Sequence, residues 1–359
     1  MMHRAAIEPE REGNVLAMIT VQTEKHRLRD AKTELYGGRL VPPFECPARV
    51  GRILARVREV GLGPVREPDG FGLDPIRRIH DAAFLDFLAT CWDEWKAAGF
   101  DGEAIASAWP ARRMRMKPPD SIDGKIGYYA LAAETSITDG TWEAARASAD
   151  VVLTAQSEIA KRANGAFALC RPPGHHATLD MFGGYCFINN AAVAAQAFLD
   201  QGASRIVILD VDFHHGNGTQ DIFYDRSDVL FVSLHGRPED AFPYFLGYAD
   251  ETGRRDGESF TANYPMPPGT GFDAWAEALD SALKRIHEYG PDAVVVSLGV
   301  DTYKSDPISF FVLESDDFKT YGRAIASLNR PTLFVMEGGY AVDEIGVNAV
   351  NVLMGFEDR

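Results

Sequence analysis

The chain has 359 residues, 46% of them hydrophobic, enough for one large α/β domain or two smaller ones, and no apolar run approaches the length of a membrane span. Its 52 acidic against 36 basic residues give a formal charge of −16, which argues against a nucleic-acid partner, since such binders work by neutralising phosphates. Four cysteines (Cys46, Cys91, Cys170 and Cys186) without CxxC spacing fit reduced thiols in a cytoplasmic protein.

Residues 1–17 are mixed in charge and lack the apolar core of a secretion signal, so they read as an N-terminal extension before a first strand at Met18–Gln22. The remaining residues, 18–359, read as a single domain. The stretch 92–142 interrupts its order. It holds Trp92, Trp95 and Trp109, the basic run Arg112–Lys117 and Pro118-Pro119. It reads as a loop insertion with a short helix near Lys125–Thr135, and long irregular segments are commonly functional or interfacial. A helix is predicted over Glu143–Lys161. The apolar run Ala166–Cys170 then leads into Arg171-Pro-Pro-Gly-His-His-Ala177, and a helix follows at Asn190–Asp200. Ile206–Leu209 leads into Asp210-Val-Asp-Phe-His-His-Gly-Asn-Gly218, and Val229–Leu234 into His235-Gly. After a helix at Phe272–His287, Ala293–Leu298 leads into Gly299-Val-Asp-Thr302. After another at Ser315–Leu328, Thr332–Met336 leads into Glu337-Gly-Gly-Tyr340. Most of these runs lack alternation, as expected of strands buried on both faces. Strands alternating with helices predict a parallel sheet with helices on both sides and a site beyond its carboxyl ends.

Polar residues follow five of these strands, where one edge of one sheet would gather them. Alternation along a strand puts Asp210, Asp212 and His214 on one face. Asp212, His214 and Asp301 offer N and O donors to a divalent ion, and three protein ligands leave room for water and substrate. Asp301 by itself also fits a helix cap. His175 and His176, presented by a stiff Arg-Pro-Pro-Gly turn, suit acid–base work because imidazole titrates near neutrality; either is also open to a ligand role. Two glycines before Tyr340 let its backbone turn sharply, and a phenol there can donate to a developing oxyanion. Gly183-Gly184-Tyr185 is a similar turn, and Tyr185 reads as a wall rather than a catalyst.

These motifs, in this order, resemble the histone deacetylase family, and the resemblance runs from Met18 onward. Phe44-Glu-Cys-Pro-Ala-Arg49 resembles an early loop motif of the family, with Phe where many members have His. Ala31–Gly38, Gly127-Tyr-Tyr129, Ala132–Thr135, Asp180–Asn190 and Asp306–Phe311 are similar to the subgroup of bacterial acetylpolyamine amidohydrolases. The resemblance implies a three-layer α/β/α, arginase-like fold around an eight-stranded, mainly parallel sheet. It implies a cytoplasmic zinc-dependent hydrolase removing acetyl groups from acetylated polyamines, with one Zn2+ on Asp212, His214 and Asp301. It makes His175 and His176 the proton-transfer pair, oriented by Asp210 and Asn217, and Tyr340 the transition-state donor. Asn217 stands where many eukaryotic relatives carry Asp, and an amide stabilises imidazolium less than a carboxylate. The resemblance further implies a K+ or Na+ held by Asp210, Asp212, His214, Ser233 and Leu234. Substrate contacts fall on Glu134, Asp123, Tyr185, Phe242 and Ile308, although Asp123 is shorter than the Glu the subgroup can carry. A homodimer through residues 92–142 is expected. The alternatives are a protein-lysine deacetylase of the same chemistry, an idle polyamine-binding protein and an arginase-like manganese hydrolase. The last needs more ligands than the motifs supply. Fe(II) or Co(II) also suits the same donors.

Overall fold

A computed structural model describes residues 18–161 and 164–358, and the N-terminal extension expected over 1–17 lies outside the described residues. The strands are β1 (Ile19–Val21), β2 (Glu34–Tyr36), β3 (Arg39–Val41), β4 (Val65–Arg66), β5 (Gly165–Ala168), β6 (Ile206–Asp210), β7 (Val229–Gly236), β8 (Thr261–Met266), β9 (Ala293–Leu298) and β10 (Thr332–Met336). The helices are α1 (Ala48–Glu59), α2 (Asp74–Arg77), α3 (Ala82–Ala97), α4 (Ile122–Tyr129), α5 (Thr141–Ala160), α6 (Asn190–Asp200), α7 (Asn217–Phe223), α8 (Phe272–Tyr289), α9 (Ser315–Ala326) and α10 (Ile345–Glu357).

Eight strands form one sheet in the order β4-β1-β5-β10-β9-β6-β7-β8, and every neighbouring pair is parallel. The reason is in the strands themselves. Ile206 and Ile208 of β6 enter one apolar core, and Val207 and Leu209 enter the other. Leu333 and Val335 of β10 likewise face away from Phe334 and Met336. With both faces apolar, each strand needs a helical layer on both sides. Helices α3, α5 and α6 supply one layer, and α1, α8, α9 and α10 the other. This is the three-layer α/β/α arrangement expected. Helix α8 shows how such a layer is encoded: Trp275, Leu279, Ala282, Leu283 and Ile286 form its buried stripe, and Gly290, at φ 65°, ends it.

The stretch 92–142 is more ordered than expected. Residues 92–97 complete α3, and the helix expected near Lys125–Thr135 is α4, which stops at Tyr129. It stops because the chain turns extended at Ala130, which bridges to Phe182, while Leu131 N–H donates to Phe182 O (2.7 Å). Trp95 is buried and stacks on Phe100, and its indole N–H donates to Gly102 O (3.0 Å). Trp92 and Trp109 pack against the same core, so these aromatics are structural rather than a free surface. The longest exposed run of the segment, residues 111–121, includes the basic run, where Met114 and Met116 are 62% and 66% exposed.

Candidate metal centre and active site

The five strands followed by polar motifs, β5, β10, β9, β6 and β7, are consecutive in the sheet. Parallel pairing therefore brings all five motifs to one edge. Strand β6 ends at Asp210, and the chain bends so that Asp212 Oδ1 accepts from its own neighbour His214 N (2.8 Å). Asp301, beyond β9, crosses to this bend and accepts from Phe213 N (2.8 Å). Ligand atoms of Asp212, His214 and Asp301 lie within 4.8 Å of one another, all three residues buried. His214 Nδ1 is 3.0 Å from Asp301 Oδ2 and 3.3 Å from Asp212 Oδ1.

These residues fit a dication. Two buried carboxylates and one imidazole form a mixed O/N donor set for a zinc-type ion. Glycine keeps the space around them clear: a Cβ on Gly299 would fall 2.1 Å from Asp212 Oδ2. One on Gly338 would fall 2.5 Å from both Asp212 Oδ2 and Asp301 Oδ2. Gly338 N–H also donates to Asp212 Oδ2 (2.8 Å). Asp210 pairs with His175, whose Nδ1–H donates to its Oδ2 (3.0 Å).

The rings of His175 and His176 lie with centroids 4.0 Å apart in different environments. Burial works against a charged His175, but Asp212 and Asp210 outweigh it and raise the group to about 10. His176 shifts the other way, held well below the ordinary histidine value by burial and then by His175 and His214. Its Nδ1 meets Asn217 Oδ1 at 2.6 Å. The two rings thus face different partners, a carboxylate for His175 and an amide oxygen for His176, an asymmetry suited to acid–base chemistry.

Tyr340 completes the floor. Its backbone N–H donates to Asp306 Oδ2 (2.7 Å), and the buried Arg49 donates to Gly339 O (2.7 Å) and to Glu337 O, with its guanidinium 5.1 Å from the Tyr340 ring. Burial raises the Tyr340 phenol well above its ordinary value, so it remains a donor. Glu337 fastens the opposite turn, accepting from Gly174 N (2.6 Å) and His175 N (3.2 Å). Asp210 stands in register with Ser233 of β7, whose Oγ pairs with His235 Nδ1 (2.8 Å), and Leu234 follows it, buried.

A cavity of about 490 Å³ opens above this floor. His176, His214 and Tyr340 line its inner end. Glu134, Tyr185, Phe242 and Ile308, all expected to contact substrate, line its walls. Asp123 does not. It sits exposed on α4, whose Ile122, Ile126 and Tyr129 face the core, and its nearest partner is Ser107 Oγ at 3.5 Å. The expected substrate contact at Asp123 is not met in this cavity, whose lining leaves it out. Glu34, by contrast, lies outside the residues that the resemblance assigns to the substrate. It lines the wall, accepts from Phe44 N (3.2 Å) and Tyr185 OH (3.3 Å), and is pushed up to about 7 by burial. Its only sequence signal was its place in the Ala31–Gly38 resemblance.

The family model of the histone deacetylase domain matches residues 43–355. The chain belongs to the histone deacetylase family. Within this family, an acetylpolyamine amidohydrolase of Mycoplana ramosa is 60% identical over 338 residues, covering 94% of this chain and 99% of the relative. Acetylpolyamine amidohydrolase 2 of Pseudomonas aeruginosa is 56% identical, covering 95% of this chain and 99% of its own. The crystal structure of an acetylpolyamine aminohydrolase from Burkholderia pseudomallei superposes with a TM-score of 0.89 at 40% identity, covering 94% of this chain and 98% of that one. As a family member, the protein is a metal-dependent deacetylase, and Asp212, His214 and Asp301 form a buried group able to hold the metal.

Proposed function

We propose that the protein hydrolyses the acetyl amide of acetylated polyamines to free polyamine and acetate, with one Zn2+ on Asp212, His214 and Asp301. The observation that carries this reading is the cavity itself, which joins a hydrolytic floor to a wall bearing two carboxylates, Glu34 and Glu134. An acetylated polyamine has the matching layout: an amide at one end and cationic nitrogens farther along. The names of the relatives support the same substrate class.

An ion held by Asp212, His214 and Asp301 would polarise an amide carbonyl and lower the pKa of water. Tyr340 donates its hydroxyl hydrogen to the carbonyl oxygen as negative charge develops there. His176 takes the proton of the attacking water. Asn217 Oδ1 accepts from His176 Nδ1–H, which leaves Nε2 as the basic atom. His175, paired with Asp210, or His176 once protonated, delivers a proton to the departing amine. Phe242 and Tyr185 exclude water along the methylene chain, with Ile308 completing the wall, and Glu134 takes the distal ammonium.

A K+ or Na+ beside Asp210, Asp212, His214, Ser233 and Leu234 would offset the remaining buried charge. A homodimer through the exposed basic run at Arg112–Lys117 accords with the chain's net acidity. The four free cysteines support a cytoplasmic site, and no helix among the described residues is long and apolar enough to cross a membrane. The test is a side-by-side assay of acetylputrescine, acetylspermine and an acetyl-lysine peptide at defined zinc loading. Preference for the acetylpolyamines is the expected result. Preference for the peptide assigns the protein to protein-lysine deacetylation instead.

A further inference from the structure

We infer that Thr135 is a positioning residue, whose hydroxyl links Glu134 to the Tyr185 amide and holds the turn that carries the aromatic wall and backs His176. The inference rests on the deacetylase reading above. Gly184 and Tyr185 lie at φ of 56° and 67°, and a bulky residue keeps a left-handed conformation only where its surroundings enforce it. The turn also has no room to drift toward the floor. A Cβ added to Gly184 would fall 2.1 Å from His176 Cδ2, so this backbone lies directly against the imidazole.

Two adjacent side chains restrain it. Gly184 N–H donates to Glu134 Oε1 (2.7 Å), Tyr185 N–H donates to Thr135 Oγ1 (2.8 Å), and Thr135 O–H donates to Glu134 Oε1 (2.8 Å). The three bonds close a ring in which Thr135 is donor and acceptor at once. Thr135 is buried, so water does not readily take over its part. At the far end of Tyr185 the phenol donates to Glu34, and the ring centroid lies 5.5 Å from that of Tyr340. A displaced turn therefore shifts the wall against Tyr340 and loosens the packing on His176. Glu134 Oε2 has no hydrogen bond among the described residues. One carboxylate thus holds the turn through Oε1 and faces a substrate ammonium through Oε2, coupling charge recognition to the geometry of the floor.

The test compares Thr135→Val and Thr135→Ser in the zinc-loaded enzyme. The substrates are N-acetylcadaverine and its neutral isostere N-hexylacetamide, and amide exchange at Gly184 and Tyr185 is followed by NMR. Thr135→Val should lower kcat on both substrates about ten- to a hundredfold, the scale of a small misplacement of catalytic groups, with KM for the neutral amide and metal content little changed. Its Gly184 and Tyr185 amides should exchange faster, and Thr135→Ser should restore both readouts. An unchanged kcat in Thr135→Val overturns the inference. So does a serine variant as slow as the valine one, which would assign the effect to the methyl group. Should Thr135→Val fail to fold, Thr135→Ala supplies the same readouts without a branched side chain to accommodate. If the wild type hydrolyses neither substrate, the deacetylase reading falls, and the exchange rates alone still decide whether Thr135 holds the turn.

Discussion

The inner end of the cavity is built from the ends of five parallel strands. Its outer end comes from a short hairpin, β2–β3, turned by Gly37-Gly38, and from irregular loops. At the inner end Asp212, His214, Asp301, His175 and His176 are all buried, and each has a protein partner. Around the outer end Leu40 is 63% exposed and Phe245 84%. A buried polar group must find its partner or incur its full desolvation cost, so the floor tolerates few alternatives. The rim faces water and is free to set which molecules enter. Chemistry is thus tied to the sheet and selectivity to the loops.

Changes at the floor should abolish reaction for every substrate. His214→Ala removes one of three ligands, so both bound metal and turnover should disappear while the chain still folds. Metal analysis after dialysis, with circular dichroism, checks this, and one retained equivalent with full turnover would break the assignment. Tyr340→Phe should keep the metal and lose about 10²–10³ in kcat, the usual effect of removing one oxyanion donor. Because the ring remains, KM should change less than kcat.

Changes at the wall should instead divide substrates by charge. Glu134→Gln keeps the oxygen that accepts from Gly184 and removes only the charge. It should reduce kcat/KM for N-acetylcadaverine about ten- to a hundredfold, the scale of a charge-assisted hydrogen bond, and spare N-hexylacetamide. Equal losses on both substrates would refute ammonium recognition at this position.

The smallest effect should be one of pH. Burial first, then Glu134 and Glu45, raise Glu34 to about 7, against the opposing hydrogen bonds from Phe44 and Tyr185. Its folded value exceeds the unfolded one, so its contribution to stability is complete below the unfolded value and is lost as pH rises through about 7. Binding of a cation follows the opposite sign, because it favours the ionised carboxylate. KM for N-acetylcadaverine should therefore fall severalfold as pH rises through about 7. Glu34→Gln should flatten that dependence, and N-hexylacetamide should not show it.

Much of the floor was legible because its signals are local. Ile206–Leu209 and Thr332–Met336 are apolar on both faces, as parallel strands require, and each runs straight into acids, histidines or glycines. Strands β4 and β8 were not legible: β4 has two residues, and β8 carries Pro265, which is tolerated on an edge strand. Helix α10 is apolar nearly all round and packs between α1 and α9, so it shows no clear stripe. The packing of the tryptophans of 92–109 was not legible, because it depends on distant partners such as Ala130 O, which accepts from Trp109.

The sequence by itself determined the donors, the glycines that make room for them, and the strand ends that present them. These follow from burial and turn chemistry within a few residues. Only the tertiary structure decided that Asp123, on α4, is left out of the cavity lining. It also decided that Glu34 meets Tyr185 across 151 positions and that Thr135 reaches the Tyr185 amide across 50. Such pairings depend on how the crossovers of a parallel sheet return the chain, and no local pattern of residues encodes that distance.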